Sequence, residues 1–149
     1  MEIRELTVED FDNNSLIESA QKLPFIDRSL SVDEFRQIFL KRQALTVTIV
    51  AIDGNKIVGL IVAVAHYSFR NKNVATLFDF SVHDQYRLRG IGLSLLKKIE
   101  LVLKKKHDVI ELSGPVEKDL IRFYEKIGGN VTPNFAYMYK TIANRIPLL

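Results

Sequence analysis

The sequence predicts an α/β (α+β) fold, a single domain in which helices cover both faces of a mixed, mostly antiparallel sheet. Strand-like segments alternate with segments of helical periodicity along the chain, and three of the strand-like segments follow one another with only short turns between them. The chain has 149 residues, of which 47% are hydrophobic and 26% charged. This size and composition are typical of one globular domain, here expected to span residues 1–149.

The first third of the chain is predicted to form one strand and two helices. Residues 2–7 (EIRELT) alternate apolar and polar side chains, which is typical of a short strand. Residues 7–10 (TVED) resemble a helix start with an acidic first turn, and this helix is expected to run to about Gln21. After a loop over residues 22–30, the sequence 31–34 (SVDE) has the pattern of a capping box that opens the second helix.

Three consecutive strands are predicted next. The β-branched runs ALTVTIVAID (44–53) and KIVGLIVAVAHYSF (56–69) flank a turn signal at Asp53-Gly54-Asn55, which predicts a long hairpin. RNKN (70–73) is predicted to form a second turn leading into VATLFDFSVH (74–83). These segments therefore form the antiparallel part of the sheet.

The last third is predicted to alternate helices and strands. Apolar residues recur at helical spacing over residues 89–106, and VIELSG (109–114) is expected to be a strand. Another helix is expected after Pro115, with Gly128-Gly129 as a left-handed stop. The tail NFAYMYKTI (134–142) returns to period two and is predicted to be the last strand.

The composition excludes several classes of function. The formal net charge of +3 is too small to predict nucleic-acid binding, and lysines 104–106 complement the end of a helix dipole. The absence of cysteine excludes disulfides, thiolate metal sites and a cysteine nucleophile, and no metal site is predicted. Charged residues occupy the N-terminus, and no stretch approaches the ~20 apolar residues of a membrane span. A cytoplasmic protein without a membrane partner is expected.

The segment most informative about function is VHDQYRLRGIGLSLL (82–96). A strand ends near Val82, and after a polar turn two glycines, Gly90 and Gly92, open a helix. Glycines at a helix start let a ligand approach the first-turn N–H groups, which lie at the positive end of the helix dipole and suit phosphate. The alternative is that the glycines only permit a tight connection. Neither a Walker A loop nor a dinucleotide-binding fingerprint is present.

These residues resemble the GNAT superfamily of acetyl-CoA-dependent N-acetyltransferases. The family motif Q/R-x-x-G-x-G/A after a strand is matched by RLRGIG (87–92), and the family run F-Y-E-K-x-G is matched by FYEKIG (123–128). The predicted order of elements is also similar to the GNAT fold. The resemblance implies a single N-acetyltransferase domain that uses acetyl-CoA as co-substrate.

The resemblance also implies where acetyl-CoA binds. Backbone N–H groups of the motif would hold the pyrophosphate, and a backbone N–H near Ser81 or Val82 would bind the thioester carbonyl. The expected cofactor-binding residues are Phe80, Ser81, Val82, Arg87, Leu88, Arg89, Gly90, Ile91, Gly92 and Leu93. The pantetheine arm would lie between the strand ending at Val82 and the strand 109–114, which splay apart in this family.

Two candidate catalytic residues are expected. Tyr124 corresponds to the family tyrosine that hydrogen-bonds the departing thiolate, and an ordinary core aromatic residue is the alternative. Asp79, in the middle of a strand, is the first candidate for the general base that takes the proton of the amine. A structural role, paired with a lysine or a backbone donor, is the alternative for Asp79. His66 and His83 are expected to be structural.

The predicted function is direct transfer of acetyl from acetyl-CoA to a primary amine in a ternary complex. The acceptor is a small-molecule or peptide amine, with an amino sugar phosphate among the small molecules left open, and loops 22–30 and 131–134 are expected to set its identity. A non-catalytic acyl-CoA-binding module is the alternative, because the strand has Thr76 and Phe78 where several family members have a glutamate. The C-terminal strand with its apolar tail makes a homodimer possible.

Overall fold

The fold was analysed in a computed structural model that describes residues 1–66, 73–116 and 120–131. Residues Met1–Gly114 form one compact unit, and a second unit begins at Pro115. The first unit contains strands β1 (Glu2–Glu5), β2 (Thr46–Asp53), β3 (Lys56–His66), β4 (Val74–Val82) and β5 (Glu111–Ser113), with helices α1 (Asn14–Ala20), α2 (Val32–Arg42) and α3 (Ile91–His107). The second contains helix α4 (Ile121–Lys126). Among the described helices, none is long and apolar enough to cross a membrane.

The five strands form one sheet in sequence order, β1 to β5. The pairs from β1 to β4 are antiparallel, whereas β4 and β5 are parallel. β2 and β3 are joined at the predicted turn, where Gly54 has φ +60°. Such a φ suits glycine, so the hairpin predicted from Asp53-Gly54-Asn55 is confirmed.

Helices cover both faces of this sheet, as predicted. On one face, side chains of α1 such as Ile17 pack with Val50 and Leu60 in a single buried cluster. On the other face, Gly59 lies against Leu95 and Ile91 of α3. Because successive residues of a strand point to opposite faces, α1 and α3 lie on opposite sides of the sheet. Nearly every residue of β2 and β3 is therefore buried.

The first predicted helix is interrupted, contrary to the expectation of one helix to Gln21. A 3-10 turn covers Val8–Asp12, and α1 begins only at Asn14. Asn13 separates them because its side chain accepts a hydrogen bond from Leu16 N and donates one to Asn55 Oδ1 at 2.7 Å. The capping role and the contact with the β2–β3 turn fix Asn13 outside helical geometry.

The other boundaries agree with the sequence to within a few residues. The capping box at Ser31 and Glu34 is present at the start of α2. α3 begins at Ile91 rather than Arg89, because Gly90 is its left-handed N-cap. β5 covers only three residues of the strand predicted over 109–114. Most of the turn predicted at 70–73 and the tail strand at 134–142 lie outside the described residues.

Candidate active site

The site is built on the end of β4, beyond the last residue that pairs with β5 among the residues that the structure describes. β5 pairs with β4 only over three positions, from Val74 opposite Glu111 to Thr76 opposite Ser113. β4 continues to Val82 beyond this pairing. A β-bulge lies at the same place, because Asp79 is opposite Val62 while Leu77 is opposite Ala63, which leaves Phe78 as the extra residue.

The backbone direction along β4 follows from its last hydrogen bond to β3. The His83 N–H donates to the Val58 carbonyl at 2.8 Å. In an antiparallel ladder, successive N–H groups point to alternate sides of the strand. The N–H groups of Val82 and Phe80 therefore point away from β3, toward the side where β5 has ended, and that of Ser81 points toward β3. Ser81 is buried, and its hydroxyl donates to the Pro24 carbonyl at 2.6 Å.

The turn between β4 and α3 contains two residues with left-handed backbone conformation. After a 3-10 turn at Asp84–Tyr86, Leu88 has φ +60° and Gly90 has φ +78°. Gly90 is the N-cap of α3 and provides no side-chain hydrogen bond, so within the described residues no side chain caps the first-turn N–H groups from Ile91 onward. A Cβ at Gly90 would meet nothing within 4 Å. Open backbone donors at the positive end of a 17-residue helix can bind an anion.

Two arginines add positive charge to this turn. Arg87 forms an exposed ion pair with Asp84 at 3.0 Å. The Arg89 guanidinium stacks over the Tyr86 ring, 5.1 Å from its centroid. Tyr86 is held in turn by a 3.0 Å hydrogen bond from its hydroxyl to Asp53, and this bond raises the pKa of the phenol. The exposed turn therefore carries two cations, and one of them, Arg89, stacks on a tyrosine ring that is itself held by a hydrogen bond.

Asp79 faces a cavity between the sheet and α2. This cavity has a volume of about 330 Å³ and is lined mainly by apolar and aromatic side chains, with Asp79 at its β4 side. Asp79 is half-buried. It belongs to none of the ion pairs found among the described residues, so the alternative of an Asp79–lysine pair is absent there.

Tyr124 lies in α4 of the second unit. Its ring packs edge-to-face on Phe123, with centroids 5.3 Å apart, and burial raises the pKa of its phenol. α4 ends in a Schellman motif, in which the Gly128 N–H donates to Glu125 and the Gly129 N–H to Tyr124. The predicted stop at Gly128, with φ +88°, is confirmed.

The comparisons with known proteins agree with this architecture. The family model described as acetyltransferase (GNAT) family matches residues 2–129. The chain belongs to the GNAT acetyltransferase family. The resemblance seen in the sequence is thereby confirmed. The assignment to the acetyl-CoA-dependent N-acetyltransferases is confirmed with it. A comparison with curated protein sequences finds no significant match.

Solved structures share the GNAT fold. An acetyltransferase from Trypanosoma brucei is 22% identical with a TM-score of 0.71, covering 93% of this chain and 99% of its own. Glucosamine-6-phosphate N-acetyltransferase from Arabidopsis thaliana is 19% identical with a TM-score of 0.74, covering 95% and 98%. An aminoglycoside 6′-N-acetyltransferase from Acinetobacter haemolyticus is 16% identical with a TM-score of 0.70, covering 96% and 100%. At these identities the likeness establishes the fold.

The two histidines expected to be structural both have hydrogen-bond partners nearby in the fold. His66 bonds Thr76 Oγ1 at 3.0 Å, and His83 accepts from the Gln85 N–H at 3.2 Å. Lys106, at the end of α3, forms an ion pair with Glu5 at 2.6 Å. No cluster of three or more metal-ligating side chains occurs among the described residues.

Three features of the site were not predicted from the sequence. The bulge at Phe78 depends on the register with β3, and the left-handed Leu88 has no glycine or asparagine to signal it. The third is Arg42, the last residue of α2, which lines the same cavity as Asp79. Its position on α2 next to the apolar residues Ile38 and Phe39, at i−4 and i−3, is the signal that could have placed it on the covered face.

Proposed function

We propose that this GNAT protein transfers acetyl from acetyl-CoA directly to a primary amine while both substrates are bound. The observation that carries the proposal is the turn from Arg87 to Leu93, where uncapped helix N–H groups and two arginines lie next to the open end of β4. Family membership supplies the reaction type, and this turn supplies a site for an anionic co-substrate.

The pyrophosphate of acetyl-CoA would bind to the backbone of the turn. Leu88 and Gly90 hold the chain in the left-handed region, and the space outside Gly90 is open. Arg87 and Arg89 are exposed and can neutralise further phosphate charge. Ile91, Gly92 and Leu93 would contribute first-turn N–H groups, whose orientation does not depend on their side chains.

The thioester would lie along the open edge of β4. The alternation of N–H groups favours Val82 or Phe80 as the donor to the thioester carbonyl, and it disfavours Ser81. A backbone donor that is already oriented stabilises the negative charge developing on this oxygen, which is usually the largest electrostatic contribution in acyl transfer. Of the three residues expected at the end of β4, Phe80 and Val82 point their N–H groups away from β3, whereas Ser81 is hydrogen-bonded to Pro24.

Transfer would proceed by attack of the neutral amine on the thioester carbon. A C–N bond forms, the amine proton passes to Asp79 or to an ordered water, and the C–S bond breaks with its electron pair on sulfur. Tyr124 would donate a hydrogen bond to that thiolate. Its raised pKa keeps the phenol protonated at neutral pH. Because a thiol has a pKa near 8.5, below that of the phenol, hydrogen bonding rather than full proton transfer is expected.

The acceptor is proposed to be a primary amine, on a small molecule or a peptide. Two solved neighbours are named for amino-sugar and aminoglycoside acetylation, which supports an amine acceptor. We further propose a cytoplasmic protein without nucleic-acid or membrane partners. The proposed homodimer would use residues 134–142, which are predicted to form a strand and lie outside the described residues.

Gly92→Glu tests the proposed phosphate site. The substitution adds a negative charge in the first turn of α3, where the pyrophosphate would bind, and should abolish stabilisation by CoA. With CoA at a hundredfold excess over its Kd, the parent should gain about 2.7 kcal/mol. Thermal unfolding with and without CoA measures this gain, and Gly92→Ala, which adds no charge, serves as the matched control. An equal CoA-dependent shift in Gly92→Glu and parent would show that the phosphate binds elsewhere.

A further inference from the structure

The cavity that contains Asp79 is closed on two sides by different elements. Its floor is the face of the sheet that carries Thr48, Val62 and Asp79, which lie side by side on β2, β3 and β4. Its roof is one face of α2, on which Phe35, Ile38, Phe39 and Arg42 recur at helical spacing. At about 330 Å³, the cavity is at the small end of the range for small-molecule sites.

The cation Arg42 and the carboxylate Asp79 both line this cavity. Arg42 is half-buried, and its Nε is buried without a hydrogen-bond partner. Neither Arg42 nor Asp79 takes part in any ion pair within 4.0 Å among the described residues. A second carboxylate in the lining, that of Asp27, already accepts hydrogen bonds from the Ser29 N–H and hydroxyl. Within the described part of the chain, Arg42 and Asp79 thus each lack a counter-charge.

The position of Arg42 in the last turn of α2 does not explain its buried Nε. A cation there complements the helix dipole, but the neighbouring Lys41 is exposed and can do so from solvent. Burying a polar group of a cation without a partner is costly, so a ligand that supplies the partner would remove this cost. The guanidinium fork matches a carboxylate in two parallel hydrogen bonds.

We propose that the acceptor is a primary amine with an apolar body and a carboxylate, held with its amine at Asp79 and its carboxylate at Arg42. This inference rests on the proposed acetyltransferase function and specifies its acceptor. The ammonium form of the amine would pair with Asp79 and lose its first proton to water, and Asp79 would take the second proton as the amine attacks the thioester. Aromatic side chains of α2 and of the 22–30 loop, among them Phe35 and Phe25, would cover the apolar body.

The same lining disfavours other amine classes. Polyamines and aminoglycosides carry several positive charges, which Arg42 would repel inside a small cavity. Amino sugars would place hydroxyl groups against phenylalanine and isoleucine side chains, where they lose hydrogen bonds to water. Charge and apolar lining together therefore select for an amphipathic amino acid.

Two pairs of probes that differ mainly in the carboxylate test the inference. L-phenylalanine is compared with phenethylamine, and 6-aminohexanoate with hexylamine, by calorimetric titration of the full chain in the presence of CoA. Wild type should bind the carboxylated member of at least one pair about tenfold more tightly or better, as expected for a charge-assisted hydrogen bond. Arg42→Met should bring that ratio near one, whereas Arg36→Met, exposed on the same helix, should leave it unchanged.

The wild-type comparison decides the outcome even if Arg42→Met fails to fold. Equal affinity within both pairs, or no binding of any of the four probes, would overturn the inference. A preference that persists in folded Arg42→Met would overturn it as well. Thiol release from acetyl-CoA with carboxylate-free amines, measured separately, would leave the acetyltransferase function standing in each of these cases.

Discussion

Gly59 on β3 determines how closely α3 packs on the sheet. A Cβ at this position would lie 2.9 Å from Leu95 Cδ1 and 3.2 Å from Ile91 Cγ2. Leu95 is 0% exposed and Ile91 5% exposed, so neither side chain can turn into solvent. Carbon atoms pack at about 3.5–4.0 Å, and Gly59→Ala should therefore push the first turn of α3 outward by roughly 0.5–1 Å.

The expected loss of stability follows from two opposing effects. Inserting a methyl group into a packed core costs about 1–3 kcal/mol. Replacing glycine within a strand returns about 0.5–1 kcal/mol, because the unfolded chain loses less freedom on folding. Gly59→Ala should therefore lower the free energy of unfolding by about 1–2 kcal/mol. Because α3 carries the proposed phosphate-binding N–H groups, the stabilisation by CoA should decrease in the same variant.

A double-mutant cycle with Leu95→Ala tests the cause. Leu95→Ala alone should cost about 2–5 kcal/mol, but it also removes the atom that the new methyl group would meet. The pair should therefore be less destabilising than the sum of its members by about 1 kcal/mol, as measured by urea denaturation. Gly54→Ala, in a turn with open space around it, is the control and should not couple to Leu95. Additivity of Gly59→Ala with Leu95→Ala would refute the packing argument.

Two further predictions concern Tyr124 and Asp10. Tyr124→Phe should lower kcat by about 100-fold with CoA stabilisation retained, and a near-normal kcat with a lowered Tm would make Tyr124 a packing residue. Asp10 accepts two hydrogen bonds from Arg4, at 2.7 and 2.8 Å, and one from the Thr7 N–H at 2.8 Å, and these lower the pKa of its carboxyl. The stability that they provide is therefore present at neutral pH and is lost as pH falls through the lowered pKa. Asp10→Asn should destabilise by about 1 kcal/mol at pH 7, with a difference that shrinks toward low pH in denaturation experiments; a constant difference would contradict the assignment.

The sequence was sufficient where structure depends on neighbouring residues. The capping box at Ser31, the hairpin at Gly54 and the glycine stop at Gly128 each follow from local backbone chemistry. The turn proposed to bind phosphate could be singled out because its glycines stand at a helix start within a family motif. The fold class could be predicted because the hydrophobic period changes clearly from one segment to the next.

Features set by tertiary contacts could not be predicted in this way. Asn13 interrupts the first helix partly through its bond to Asn55, a residue 42 positions away. The bulge at Phe78 depends on how β4 aligns with β3, which the sequence of β4 alone does not specify. The sequence indicates only an ordinary cation at a helix end at Arg42, and the packing of α2 over the sheet buries its Nε.

Release of free thiol from acetyl-CoA in the presence of primary amines is the decisive test of the proposed acetyl transfer. The purified chain is incubated with acetyl-CoA and a panel of amino acids, peptides, amino sugars and polyamines, while thiol is followed continuously and the acetylated product is identified by mass spectrometry. Thiol release should require both the amine and the chain, with one acetylated amine formed for each thiol. Stabilisation by CoA without thiol release for any amine would contradict it and identify a non-catalytic acyl-CoA-binding protein.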